Sequence, residues 1–162
     1  MPAGPTYEPI ATTTLGSNTA SVTFSSISGS YTDLVYIIYN KSGGTNSSIR
    51  FNSDGGSNYS LTQLYGDGSA AASLRSSNVT YAIGGVIQSD ATVVGHIMNY
   101  SNTTTNKTLI ARGGAGSGTY LDVCVSLWRS NSAITSVTFY QDSGGGTWAT
   151  GSTFTLYGIK AA

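Results

Sequence analysis

Nucleophilic catalysis of the serine or cysteine type needs a histidine as base, and the 162-residue sequence holds one, His96. It lies in the apolar run Val93-Val94-Gly95-His96-Ile97-Met98, and no acidic residue is nearer along the chain than Asp90. That setting reads as a strand histidine rather than a base. The single cysteine, Cys124, sits in the alternating run Leu121-Asp122-Val123-Cys124-Val125-Ser126-Leu127 and reads as a small buried or half-buried residue. Being alone, it forms no internal disulfide, and one histidine with one cysteine cannot complete a tetrahedral metal set.

Paired carboxylates would serve a glycosidase. The seven acids are Glu8, Asp33, Asp54, Asp67, Asp90, Asp122 and Asp142. Five lie beside turn-forming residues or at expected strand ends, where aspartate bonds its own backbone. Asn52-Ser53-Asp54-Gly55-Gly56-Ser57-Asn58 alternates oxygen side chains ahead of a glycine, as a calcium loop does. Gln63 stands where the closing bidentate glutamate belongs, so a hairpin turn is the better reading. Gly113-Gly114-Ala115-Gly116-Ser117-Gly118 has a phosphate cradle's composition without its spacing, and no helical pattern follows it. Both it and Gly144-Gly145-Gly146 read as loops. The expectation is a protein that is not an enzyme, with no catalytic, metal or cofactor-binding residue and no cofactor. Trp128 and Trp148 admit two readings, as surface aromatics that stack on a sugar or fill a partner's pocket, or as caps on the ends of the core.

The elements that position these residues are strands. Ser 25, Thr 22, Gly 21 and Asn 10 make up almost half the chain, whereas helix formers such as Glu and Lys are scarce. Low charge, eleven Tyr and two Trp favour a packed core over disorder. Strand-like segments fall near 10–15, 20–27, 33–40, 48–52, 59–65, 79–87, 91–100, 107–112, 119–129, 134–141 and 152–160. Alternation in Ala20–Phe24, in Leu121/Val123/Val125/Leu127 and in Ile134–Phe139 predicts half-buried strands with one face on a core. Leu34–Tyr39 and Val93–Met98 are apolar on both faces, which fits strands covered on both sides, centrally or at a subunit interface. The fold expected is an all-β antiparallel sandwich or jelly roll, one domain over 10–162, with an extended N-terminal arm over 1–9 that holds three prolines.

Seven basic and seven acidic groups leave no electrostatic footprint for nucleic acid or anionic lipid. The longest apolar run, Leu34–Tyr39, is too short for a membrane helix, and the N-terminus lacks the basic and apolar regions of a secretory signal.

Several segments together resemble small β-sandwich virion proteins of tailed bacteriophages, of the cyanophage and aquatic-phage capsid decoration or tail-fibre type. They are Tyr7-Glu8-Pro9-Ile10-Ala11, Ala20 to Ile27, Tyr31 to Val35, Ile49 to Ser60, Leu64-Tyr65-Gly66-Asp67-Gly68, Leu127 to Val137 and Phe154 to Lys160. The resemblance runs from Tyr7 to Lys160 and is looser from Tyr81 to Tyr120. It implies a virion protein made in the host cytoplasm and placed on the capsid surface. Together with the low charge and the proline-bearing arm, it leads to the expectation of a decoration (cement) protein that binds the major capsid protein and copies of itself, as a homotrimer, with Pro5, Tyr7, Pro9 and Ile10 of the arm as the expected anchors. The alternative it implies is a tail-fibre module that binds a receptor or host surface glycan through Trp128 and Trp148.

Overall fold

The computed structural model describes residues 6–41, 46–86, 88, 90–116, 118–141 and 146–160. These form twelve strands and no helix: β1 (Tyr7–Thr14), β2 (Ser21–Phe24), β3 (Asp33–Asn40), β4 (Asn46–Phe51), β5 (Tyr59–Gly66), β6 (Ala71–Val79), β7 (Ala82–Val86), β8 (Ala91–Met98), β9 (Lys107–Gly114), β10 (Leu121–Trp128), β11 (Val137–Gln141) and β12 (Thr153–Ile159). Two antiparallel sheets make the expected sandwich. The larger runs β1-β12-β3-β8-β9-β10-β5-β6 and the smaller β2-β11-β4-β7.

Alternation builds the core between them. Leu34, Tyr36 and Ile38 of β3, Val93 and Ile97 of β8, Leu109 of β9, and Phe154 and Leu156 of β12 all point inward. They meet Val22, Phe24, Ile49, Phe51, Val137 and Phe139 of the smaller sheet. Phe139 is the centre of this packing, with ring centroids of Tyr36, Phe154 and Phe24 at 5.1, 5.8 and 6.2 Å. Burying each such aliphatic or phenyl side chain stabilises the fold by about 1.5–3 kcal/mol. The turn after β4 is closed by Asp54 N–H donating to Phe51 O at 2.9 Å, with Asn52 and Ser53 both at positive φ, but β4 and β5 belong to different sheets, so the segment expected as a hairpin turn carries the chain from one sheet to the other.

Three expectations change. The stretch read as a free extended arm is already strand from Tyr7: Tyr7, Glu8 and Pro9 pair with Ile159, Gly158 and Tyr157 of β12, and a bulge follows at Pro9/Ala11. Proline is tolerated there because β1 is an edge strand whose outer N–H groups have no ladder to join. The structure adds a strand, β6, where the sequence predicts none. Its sequence AASLRSSNV has little β-branched or alternating character, and it is held by its register with β5 rather than by propensity. Finally, β10 is turned over. Leu121, Val123 and Val125 point away from the core, 58, 43 and 43 % exposed, while Asp122, Cys124, Ser126 and Trp128 point into it.

Candidate functional site

Each acid of the described residues is tied to a structural task. Glu8 pairs with Lys160, the C-terminal neighbour of β12, and accepts from Tyr31 Oη at 3.3 Å. Asp54 Oδ2 accepts from Trp128 Nε1 at 2.7 Å and Asn58 Nδ2 at 2.9 Å, while its Oδ1 accepts from Gly56 N–H at 2.8 Å. Burial works to raise the Asp54 carboxyl, but those donors and nearby Arg50 outweigh it and leave the group below its ordinary value. Asp67 Oδ1 gathers Ala70 N–H, Ser69 N–H and the Ser69 hydroxyl, and these bonds pull its carboxyl down to about 2. Asp90 accepts from Tyr39 Oη at 2.9 Å. Asp142 lies outside the described residues.

Two pairs were invisible in the sequence. Asp33 at the start of β3 reaches His96 on β8, Oδ2 to Nε2 3.1 Å, and its Oδ1 accepts from Asn99 N–H at 2.6 Å. The nearest acid in sequence, Asp90, is therefore not the partner, because adjacency of β3 and β8 decides it. Val35 and Ile110 oppose His96 on the two neighbouring strands and Val94 and Met98 flank it on its own, so no nucleophile adjoins the pair. The second pair is Gln63 and Asp122, where Nε2 donates to Oδ2 at 3.0 Å. Both are buried on the inward face of β5 and β10. The Gln63–Asp122 pair is closed off from solvent, whereas His96 borders an open depression of about 310 Å³ whose other lining side chains, Val94, Ile110, Ala111, Arg112 and Val123, bring it no hydroxyl or thiol.

What the larger sheet does present is apolar surface on its outer face. Register places side chains of neighbouring strands in transverse rows. One row reads Leu64, Val123, Arg112, Val94, Ile37 and the next Thr62, Val125, Ile110, His96, Val35. Leu64 is 60 % exposed and Ile110 43 %. At the β5–β6 end an open depression of about 540 Å³ is lined by Leu64, Ala71, Ala72, Thr119, Leu121 and Val123. The double-sided apolarity of Leu34–Tyr39 and Val93–Met98 belongs to the same face, since Ile37, Tyr39 and Val94 look outward, while Val35 on that side is already covered by its neighbours.

The other expected site residues separate. Tyr7 and Pro9 are exposed on β1, and the Tyr7 ring stands edge-on to Tyr157 with centroids 6.4 Å apart. Ile10 instead packs partly buried against the core. Pro5 lies outside the described residues. The tryptophans are not surface aromatics. Trp148 is fully buried, edge-on to Phe154 at 4.8 Å, and Trp128 is 3 % exposed and stacked on Tyr59. Parity explains Trp128: it lies opposite Leu127, as alternation requires, but that side of β10 is the core side. Trp148 is drawn in by its bridge to Thr19.

No family model matches the sequence. No curated protein matches it either. Among solved structures, the crystal structure of Scytalido-glutamic peptidase with a peptide based transition state analog aligns with 90 % of this chain at 10 % identity and a TM-score of 0.28. The alignment spans 66 % of the peptidase chain. That likeness is too slight to assign a fold or an activity.

Proposed function

We propose that this chain is a virion structural protein of a tailed bacteriophage, a capsid decoration (cement) protein that acts by adhesion and carries no catalytic activity. The observation that carries the adhesive half of this reading is the outer face of the eight-stranded sheet. Leu64, Leu121, Val123, Val125 and Ile110 lie exposed together there, whereas the acids and the histidine of the described residues are spent on turns, strand ends and a buried pair. Contiguous exposed apolar surface marks a site of association. The virion assignment is supported by the resemblance of segments between Tyr7 and Lys160 to phage β-sandwich proteins.

In this reading β1 and the residues before it meet the major capsid protein, with the exposed Tyr7 and Pro9 as contacts. Ile10 serves by fixing β1 to the core, and copies of the chain associate with one another on the capsid surface. The test is cryo-electron microscopy of purified virions combined with peptide mass spectrometry. Many copies at local symmetry axes of the head are expected. A few copies at the tail would replace decoration with a receptor- or glycan-binding role, and particles without the chain would overturn the virion reading.

A further inference from the structure

We infer that a second copy of this chain covers the outer face of the eight-stranded sheet, the two sheets stacked face to face about a twofold axis. The strongest reason is the reversed parity of β10. A strand that keeps Leu121, Val123, Val125 and Leu127 on one face encodes burial of that face, since a one-residue slip would exchange the two sides. Here the encoded side looks outward, and the inward side carries Asp122, Cys124 and Ser126. The sequence is consistent once both faces of β10 are covered.

The extent of the surface fits a partner. Strands β3, β8, β9, β10 and β5 are neighbours. At about 4.8 Å between strands and about 3.3 Å per residue over eight residues they span about 600 Å² in projection. Side-chain relief raises this towards the roughly 800 Å² per partner of a stable interface. The identity of the partner follows from twist and charge. Two sheets stack in alignment when their twists match, and an identical sheet matches by construction. Among the outward positions of these five strands the carboxylate of Asp33, next to His96, and the guanidinium of Arg112 offer one charge of each sign, which gives nothing to steer a strongly acidic or basic protein.

Register also selects the axis. A twofold parallel to the strands along β9 would set Arg112 against Arg112 of the second copy. A twofold along the transverse row Val125, Ile110, His96, Val35 sets Arg112 opposite Thr108 instead, because Thr108 and Arg112 lie one outward step to either side of Ile110 on β9. The second arrangement separates the two Arg112 guanidinium groups, and the residue it brings face to face with its own copy beside Ile110 is His96, which each chain already pairs with its own Asp33. An interface of this kind is isologous and gives a dimer in place of the trimer that the sequence resemblance implies.

This inference refines the self-association named above but rests on the sheet alone. The protein can dimerise without being found in virions, and can be found in virions as a monomer, so the two experiments fail separately. Sedimentation of the full chain over a wide concentration range is expected to show a species of twice the chain mass. Ile110→Asp is expected to weaken it by at least about 100-fold, as loss of a central contact does, with unchanged emission from the buried Trp128 and Trp148. Should that variant not fold, the isosteric pair Val123→Thr and Val125→Thr replaces it, with the same direction of effect. Ile110→Cys treated with a short bis-maleimide is expected to cross-link to itself, stacked sheets being about 10 Å apart and too distant for a direct disulfide. A monomer at all concentrations, a trimer, or full affinity in folded Ile110→Asp would overturn the proposal. Efficient self-linking of Arg112→Cys, at a rate matching that of Ile110→Cys, would overturn the axis.

Discussion

The ring of Tyr36 lies against the backbone of Gly95, its partner across β3 and β8, so closely that a Cβ at 95 would come within 2.0 Å of the ring. Tyr36 cannot move aside easily, because its hydroxyl donates to Gly84 O at 2.9 Å from full burial. Gly95→Ala is expected to destabilise the fold by about 1–3 kcal/mol through overpacking. Tyr36→Leu in the same chain should recover part of that loss, giving a non-additive cycle by urea denaturation. Additive effects would show that the two residues do not share the space.

Asp54 joins the β4–β5 turn to the core through Trp128. Asp54→Ala leaves the buried indole N–H without its carboxylate and is expected to cost about 1–3 kcal/mol. Because Asn58 and Gly56 also lose their acceptor, amide exchange at Gly56 should quicken. Wild-type stability in Asp54→Ala would mean that the indole finds another acceptor.

The sandwich and most of its strands were legible because alternation of Val, Leu, Ile and aromatic residues survives in β2, β11 and β12, and because β3 and β8 are short continuous apolar runs. What alternation cannot say is which of two apolar faces is inside. The run Leu121 to Leu127 announces a strand with an apolar side, but the choice of core side is made by neighbours far along the chain, Gln63 and Ile83, which accommodate Asp122, Cys124 and Ser126. The same long-range decision buried Trp128 and Trp148 and brought Asp33 to His96. β6 leaves no signal in the sequence because its hairpin register with β5, not its own side chains, makes it a strand.

The Asp67 turn between β5 and β6 gives the fold an acid sensitivity. Its carboxyl is held at about 2 in the folded chain by Ala70 and Ser69, against about 3.9 in an unfolded chain. A lowered folded value adds stability that is fully present above the unfolded value and is lost as pH falls towards about 2. Asp67→Asn keeps an oxygen for the same three donors but has no charge to lose. Its urea midpoint should fall less than that of the wild type between about pH 5 and pH 2, Asp54 and Glu8 supplying the residual slope. Parallel curves for the two proteins would remove this role from Asp67.

Cys124 reports on the reversed face of β10. Burial, with the charge of Asp122 added, pushes its thiol up to about 12, and Sγ lies 3.4 Å from Ile83 O. At pH 8 the group is therefore both covered and protonated, and only a thiolate reacts. Labelling by a thiol reagent is expected to proceed at the rate of global unfolding and to be slowed by any variant that stabilises the sandwich. Had Val123 and Val125 faced the core instead, Cys124 would stand on the outer surface and react at once. Immediate labelling of the folded chain would thus reverse the parity assigned to β10, and with it the apolar outer face on which association depends.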